Sequence, residues 1–582
     1  MSTSFDKRSG RGCNWWLIGG GCLLLFACLC VTAILGVFFL PDNTLAQIKQ
    51  LTGLGGGASA SVEYVPTSAP LFIVANPSAA QAANAKKVID ILGKNPMIRQ
   101  RLDEVAAQSS SGADFNFDRD VAPWIGTEIG MALFDVPSAQ SSSASSIPTF
   151  VVFAPTRDKA KSDEALARIR KAAEAKGTTF TEEKYKDATL VIGQAKPSGN
   201  RQSDQPTVYT TFQGMVMLAN SADGLKKALD TKQGGDKVNL GGSDKYKAIV
   251  SKLPKDRAAT FVADLGALVT SAGNTTARTP GADSLAALDG IGFSLGFTDD
   301  GIRLDTVVTF DVTKLPASSQ KLFAAIKANP NKILDALPAT SVAEISGQDL
   351  KSLWDYYSEI LAQDPQTKKQ FDQGLQDIKK QSGIDVNEDV FGWMTGEYAV
   401  GIVPAKPLSA IGTSAPAAGL LLLFEAKDQN LVTTKMQKIA TALGQNGIKL
   451  ATRKVNGVDM QVVTGLEAQG ITAGYGFVGN FLAIGSGDDV LSAAVGAPQS
   501  PLSKEPEFQF GAKLVPQPNS GVAYFSVPRL IELVKSALPQ TSVADFEKNS
   551  EPALRPFKSI GLGSSLPKDG VTTSVIFIHV AE

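Results

Sequence analysis

The hydrophobic and polar positions along this chain fall into three regimes. From Trp15 to Leu40 ("WWLIGGGCLLLFACLCVTAILGVFFL") there is no charged residue, and the 26 positions are apolar apart from glycines and Thr32. At ~1.5 Å per residue, a run of that length crosses a ~30 Å hydrocarbon core as one helix. From Gly53 to Ser61 ("GLGGGASAS") the chain is rich in Gly and Ser, which fix no dihedrals and bury little area, so a flexible tether is expected. Beyond Tyr64, short β-rich runs alternate with amphipathic helical stretches, and that pattern recurs.

Shifting the sequence by 269 residues lays "LGKNPMIRQRLDEV" (from Leu92) on "LAQDPQTKKQFDQG" (from Leu361), matching Pro96 with Pro365 and Asp103 with Asp372. Each proline breaks one helix and suits the first turn of the next. The same shift lays "DFNFDRDVAPWIGTE" (from Asp114) on "GIDVNEDVFGWMTGE" (from Gly383), so that Asp120, Trp124 and Glu128 recur as Asp389, Trp393 and Glu397. With small gaps, the strand-like runs "FVVFAPTRD" and "LLLFEAKD" each lead into a helix, carrying Ile169 and Ile439. Hairpins follow, turning at Lys186-Asp187 and at Asn456-Gly457, the latter a strong two-residue turn signal. "IGFSLGFTDDGIRLDTVVTF" and "IGLGSSLPKDGVTTSVIFI" close the copies as hairpins around Asp300-Gly301 and Asp569-Gly570. Polar inserts at 136–148 and 405–419 fall at equivalent places, and a third at 193–206 has no counterpart of its kind.

The expected fold class is therefore α+β: two tandem homologous repeats of mainly antiparallel sheet with interspersed helices, preceded by one transmembrane helix. The expected organisation is a cytoplasmic tail (1–14), an anchor (15–40), a linker (41–62), repeat 1 (63–312), a connecting helical segment (313–334) and repeat 2 (335–582).

Charge and cysteine usage set the topology. Lys7, Arg8 and Arg11 precede the apolar run and Trp15 and Trp16 suit its interface, so the N-terminus is expected in the cytoplasm and the bulk of the chain outside it, held in the cell membrane by a single pass. A cleaved signal peptide would have a core of roughly 7 to 15 apolar residues, which favours the anchor over cleavage after "TLA" at Ala46. A lipoprotein motif "LFAC" ending at Cys28 carries bulky Phe26 and runs on into more apolar sequence. All four cysteines (Cys13, Cys22, Cys28, Cys30) lie in or beside this run, so the remainder has no disulfide, thiol nucleophile or thiolate zinc site. At 582 residues, 43% apolar and 19% charged, the chain has ordinary globular composition and room for at least two domains. Its net charge of −1 gives no electrostatic reason to expect a nucleic-acid partner.

Candidate chemistries can then be weighed. Asp114, Asn116, Asp118 and Asp120 imitate the start of a calcium loop, but Arg119 and Ile125 stand where the EF-hand version needs Gly and Glu. The plainer expectation is a short extended segment with Phe115 and Phe117, like Ile384 and Val386, alternating inward. "GFSLG" (from Gly292) matches a nucleophile elbow with His579 downstream, yet a strand rather than a helix follows, and His579 near the chain end is expected to be exposed. "GYGFVG" (from Gly474) matches a dinucleotide fingerprint but also runs into a strand. Asp120 with Glu128, and Asp389 with Glu397, could serve as acid and base, although the intervening Trp points to a packed corner. No catalytic, cofactor-binding or metal-ligating residue is assigned, and Asp120, Trp124, Glu128, Asp389, Trp393 and Glu397 are expected to be a structural signature.

That WxGxE-like signature after an acidic stretch, the Val65-Pro66 and Leu337-Pro338 pairs ahead of the first strands, and the single N-terminal anchor resemble a bacterial family called domain of unknown function 3352. The second copy departs from the first in reading Met394-Thr395-Gly396 for Ile125-Gly126-Thr127. The resemblance implies a membrane-anchored extracytoplasmic protein, with no activity, cofactor or catalytic residue to carry over. The expected function is a non-catalytic binding or structural module with a partner in the cell envelope. The alternatives are a carboxylate-based hydrolase outside the cytoplasm and a carrier of an apolar ligand or lipid.

Overall fold

The computed structural model describes residues 59–101, 104, 117–135, 148–195, 206–271, 287–405, 417–465 and 473–582. The expected tail, anchor, most of the linker and most of the three polar inserts lie outside these residues. Among the described residues, no helix is long and apolar enough to cross a membrane.

Among the described residues, the fold is α+β on one large antiparallel sheet of twenty strands. Its first ten are β1 (Leu71–Ala75), β2 (Ile129–Asp135), β3 (Thr149–Pro155), β4 (Thr179–Tyr185), β5 (Ala188–Gln194), β6 (Thr207–Phe212), β7 (Met215–Ala219), β8 (Ala259–Ala263), β9 (Leu288–Thr298) and β10 (Gly301–Phe310). The other ten are β11 (Ala343–Gln348), β12 (Glu397–Pro404), β13 (Ala418–Glu425), β14 (Lys449–Val455), β15 (Val458–Thr464), β16 (Gly474–Val478), β17 (Phe481–Gly485), β18 (Asn519–Ser526), β19 (Phe557–Ser565) and β20 (Val571–Val580).

Strand pairing runs β4-β5-β6-β7-β3-β2-β1-β8-β9-β10, every neighbour antiparallel. The second half runs β14-β15-β16-β17-β13-β12-β11-β18-β19-β20, the same order. The last strands of the two halves pair from Gly301↔His579 to Thr309↔Val571, which joins them into one sheet. Gly301 is the first residue of β10, its turn being Asp299-Asp300, and a Cβ there would meet the Ile578 carbonyl across this seam.

Helices cover both faces. On one face the Ala222–Gly234 and Asp488–Gly496 helices bury Leu225, Leu229, Val490 and Leu491 against Phe72, Phe153, Leu421 and Leu423, forming the main core of each half. On the other face the Lys159–Ala175 and Gln429–Gln445 helices lie over Val216 and over Phe424 and Leu482. Each of the latter helices is capped by an aspartate in the residue before it, Asp158 accepting from the Lys161 amide and Asp428 from the Leu431 amide. The hairpins turn at Lys186-Asp187 and Asn456-Gly457, with Lys186, Asn456 and Gly457 at positive φ (53°, 48° and 88°), as a two-residue turn requires.

Three expectations need correction. The segment ahead of Trp124 and Trp393 is helical rather than extended: Phe117–Asp120 forms one α-turn and Val386–Phe391 a π-helical turn, because Asp385 accepts from the Asn387 and Glu388 amides and nucleates the coil. The end of the expected tether is packed, with Ser59 and Ser61 buried and Ser61–Tyr64 forming a 3-10 helix. His579 is buried, stacked on Phe510 with ring centroids 4.3 Å apart.

Candidate functional site

The recurring signature builds a corner at the start of β2 and of β12. In each half the helical turn ends in a tryptophan whose indole nitrogen donates to the carbonyl of the signature aspartate four residues earlier: Trp124 Nε1 to Asp120 at 2.5 Å and Trp393 Nε1 to Asp389 at 3.3 Å. This bond folds the ring over the turn and beneath the 159–175 or the 429–445 helix, where Trp124 is 6% and Trp393 8% exposed.

Both aspartates are buried carboxylates and both are met by cations from that overlying helix. Asp120 pairs with Arg119 at 2.6 Å and with Arg168 at 3.3 Å. Asp389 pairs with Lys435 at 2.7 Å and with Lys438, and also accepts from the Asp385 amide at 2.8 Å. Burial by itself would raise the Asp389 carboxyl, but hydrogen bonds from the two lysines outweigh it and hold the group well below the usual carboxylate range.

The signature glutamates close the corner from the other side. Glu128 accepts from Ser59 Oγ (2.7 Å), the Ala60 amide (3.0 Å), the Ser61 amide (2.8 Å) and Ser61 Oγ. Glu397 accepts from the Ile333 amide at 2.8 Å, at the start of the Lys332–Asp335 3-10 helix. Each glutamate thus caps the 3-10 helix preceding its half, using the orphan amides of a helical first turn. Burial, opposed by those amides, raises the Glu397 carboxyl above its ordinary range. Shortly after each 3-10 helix, Pro66 and Pro338 form isolated bridges to Asn239 and Pro501, so the Val-Pro and Leu-Pro pairs mark matched chain paths.

The sequence picked the six signature residues but not their partners. Ser59 and Ser61 lie in the Gly/Ser-rich stretch whose composition predicts a tether. Arg168 and Lys438, however, directly precede Ile169 and Ile439 on the corresponding helices of the two halves, and that adjacency is the signal in the sequence that marks them.

The remaining motifs separate. Asp114 and Asn116 lie outside the described residues. In the second half the calcium-like positions point to different partners: Asp385 to two amides and Lys379, Asn387 to the Trp354 indole, Asp389 to its lysines. Among the described residues, no group of three or more His, Cys, Asp or Glu is placed to hold a metal ion. Ser294 is buried within β9, laterally paired with Asp305 of β10, and Gly474–Val478 is strand β16. His579 instead joins Glu507, its Nδ1 lying 2.8 Å from Oε2, and Ser559 Oγ donates to the same oxygen at 3.1 Å.

Two features were not visible in the sequence. Glu344, on β11, is 4% exposed, neither of its oxygens has a hydrogen-bond partner among the described residues, and the nearby Ser346 hydroxyl donates to the Val522 carbonyl instead. Burial pushes its carboxyl up to about 8. A half-open cavity of about 660 Å³ lies where the Val527–Ala537 helix leaves the sheet, lined by Val342, Pro404, Ile531 and Leu533 together with the charged Arg529, Glu532, Glu551, Arg555, Lys558 and Glu582.

These features define an α+β protein on a single open antiparallel sheet, with a buried ionic corner in each half. The chain belongs to the family described as Protein of unknown function (DUF3352), whose model matches residues 23–580. No curated protein sequence matches it. Among solved structures, crystal form IV of TP0453 overlaps 43% of this chain and 79% of its own at 9% identity and a TM-score of 0.23. Crystal form I of TP0453 overlaps 46% and 85% at 10% identity and a TM-score of 0.24. At such scores the overlap carries no inference about fold or ligand.

Proposed function

We propose that the protein is a membrane-tethered, extracytoplasmic, non-catalytic binding or structural module of the cell envelope, built from two duplicated halves. The observation that carries the non-catalytic reading is the occupation of the signature acids. Glu128 is engaged by Ser59, Ala60 and Ser61, and Asp389 by Lys435 and Lys438, so neither is free to shuttle protons. A carboxylate hydrolase would need one acid unpaired and facing a cleft, whereas the unpartnered Glu344 is buried within the sheet on β11. Duplication is supported by the identical pairing order of the halves and by their matched caps and corners. The tether is supported by the uncharged run from Trp15 to Leu40 with its leading cations. Protease added to spheroplasts should digest the bulk of the chain, and full protection would refute the topology.

A second reading, a carrier of an apolar or amphiphilic ligand, is favoured by the 660 Å³ cavity with its mixed apolar and charged lining, which falls in the size range of ~300–1,000 Å³ for small-molecule sites. Organic extraction of the purified chain followed by mass spectrometry tests it. A bound amphiphile in near-stoichiometric amount supports the carrier, and its absence together with no uptake of a fluorescent fatty acid removes that reading.

A further inference from the structure

An open sheet has two edges. Among the described residues β4 ("TFTEEKY") and β14 ("KLATRKV") pair on one side only, with β5 and β15, over seven residues without a bulge or a proline. Edges of that kind present unpaired amides and carbonyls to another chain.

The hairpins fix the phase of those groups. Two-residue turns make Tyr185 with Ala188, and Val455 with Val458, the first hydrogen-bonded pairs. Pairing alternates from there, so Phe180, Glu182 and Lys184 on β4, and Leu450, Thr452 and Lys454 on β14, turn their backbone groups outward. The charges of the edges are opposite: β14 carries Lys449, Arg453 and Lys454, and β4 carries Glu182 and Glu183 against Lys184. Faces are fixed too. Glu183 and Arg453 lie on the face of the 222–234 and 488–496 helices, pairing with Lys226 and Asp488, whereas Glu182 points to the opposite face, to Arg170 at 2.8 Å, and Lys454, one residue on from Arg453, alternates to that face as well.

Because all neighbours are antiparallel, the first and last of twenty strands run in opposite directions. A copy translated in the sheet plane therefore sets its β4 antiparallel to β14 of its neighbour, with the same faces aligned. One register that lets the outward groups meet places Glu182 opposite Lys454, and it simultaneously places Glu183 opposite Arg453. Hydrogen-bond phase, face and charge then agree, while β4–β4 and β14–β14 contacts would bring together edges of like net charge. We propose that copies of this chain assemble head to tail through these edges, β14 of one against β4 of the next, as an open filament that extends the sheet. Such a heterologous contact does not close on itself. The ion pairs these residues make within the chain are exposed and exchange at little cost.

Sedimentation of the full chain in neutral detergent provides the test. At low ionic strength, about 0.01 M, the protein should form a concentration-dependent ladder of oligomers that shrinks near 1 M salt. The double variant E182K/E183K makes both edges basic and R453E/K454E makes both acidic. Each should assemble at least about tenfold more weakly than the native chain, and an equimolar mixture of the two should recover assembly, which a misfolded variant could not do. A monomer throughout would overturn the proposal and leave the charges as guards against edge pairing, and oligomers indifferent to both variants would place the contact elsewhere.

Discussion

Glu344 stands where the other half of the molecule has a phenylalanine: Phe72 pairs laterally with Val262 between β1 and β8 as Glu344 pairs with Tyr524 between β11 and β18. Its folded carboxyl, pushed up to about 8, holds a proton that the unfolded chain releases near 4.5. The folded state therefore binds more protons across that window, and the contribution, fully present below the unfolded value, is lost as pH rises towards 8. Glu344→Gln should raise stability at pH 7 by on the order of 3 kcal/mol and flatten the thermal midpoint between pH 5 and 8, as differential scanning fluorimetry would read. An unchanged profile would mean the carboxyl finds a partner. Asp389 behaves oppositely. Its folded carboxyl is held low, so its stabilisation is present above the unfolded value and fades in acid. Asp389→Asn leaves Lys435 and Lys438 facing each other without a counter-charge and should cost roughly 2–4 kcal/mol at neutral pH, measurable by urea titration.

At the scale of elements, the corner shows why local pattern misleads. Alternating apolar and polar residues before Trp124 and Trp393 suggest an extended segment by period alone. The side chain of Asp385 bonding its own following amides, and the indole returning to a carbonyl four residues back, instead favour a helical turn. The same corner tethers the first described residues through Glu128. Glu128→Gln removes the charge that four donors share and should cost about 1–3 kcal/mol, with amide exchange of Ser61 and Val62 accelerating well before that of β2. Equal protection in the variant would show that packing of Val62 and Tyr64 suffices to hold the segment. The glutamates were visible in the sequence as recurring letters, but their ligands lay some 67 residues upstream in one half and 64 in the other, beyond the reach of any local spacing rule.

The whole molecule depends on the seam between β10 and β20, since no other strand pairing joins the halves among the described residues. Thr306 pairs with Phe293 on one side and Ser574 on the other, so Thr306→Pro disturbs a central strand at about 3 kcal/mol or more. Calorimetry should then resolve two transitions in place of one; a single transition at the native midpoint would show that helix packing couples the halves. Much of this architecture was legible beforehand. The period of apolar positions, the turn residues at Lys186-Asp187 and Asn456-Gly457, and the recurrence of Asp, Trp and Glu determined the α+β class and the hairpins, because those signals act over a few residues where sterics and local hydrogen bonds dominate. Only the tertiary structure decided that both halves share one sheet, that Asp389 meets two lysines and Glu128 two serines, and that Glu344 is buried with no partner among the described residues. Those outcomes depend on which distant segments exclude water from one another, and burial, unlike periodicity, is a property of the assembled chain.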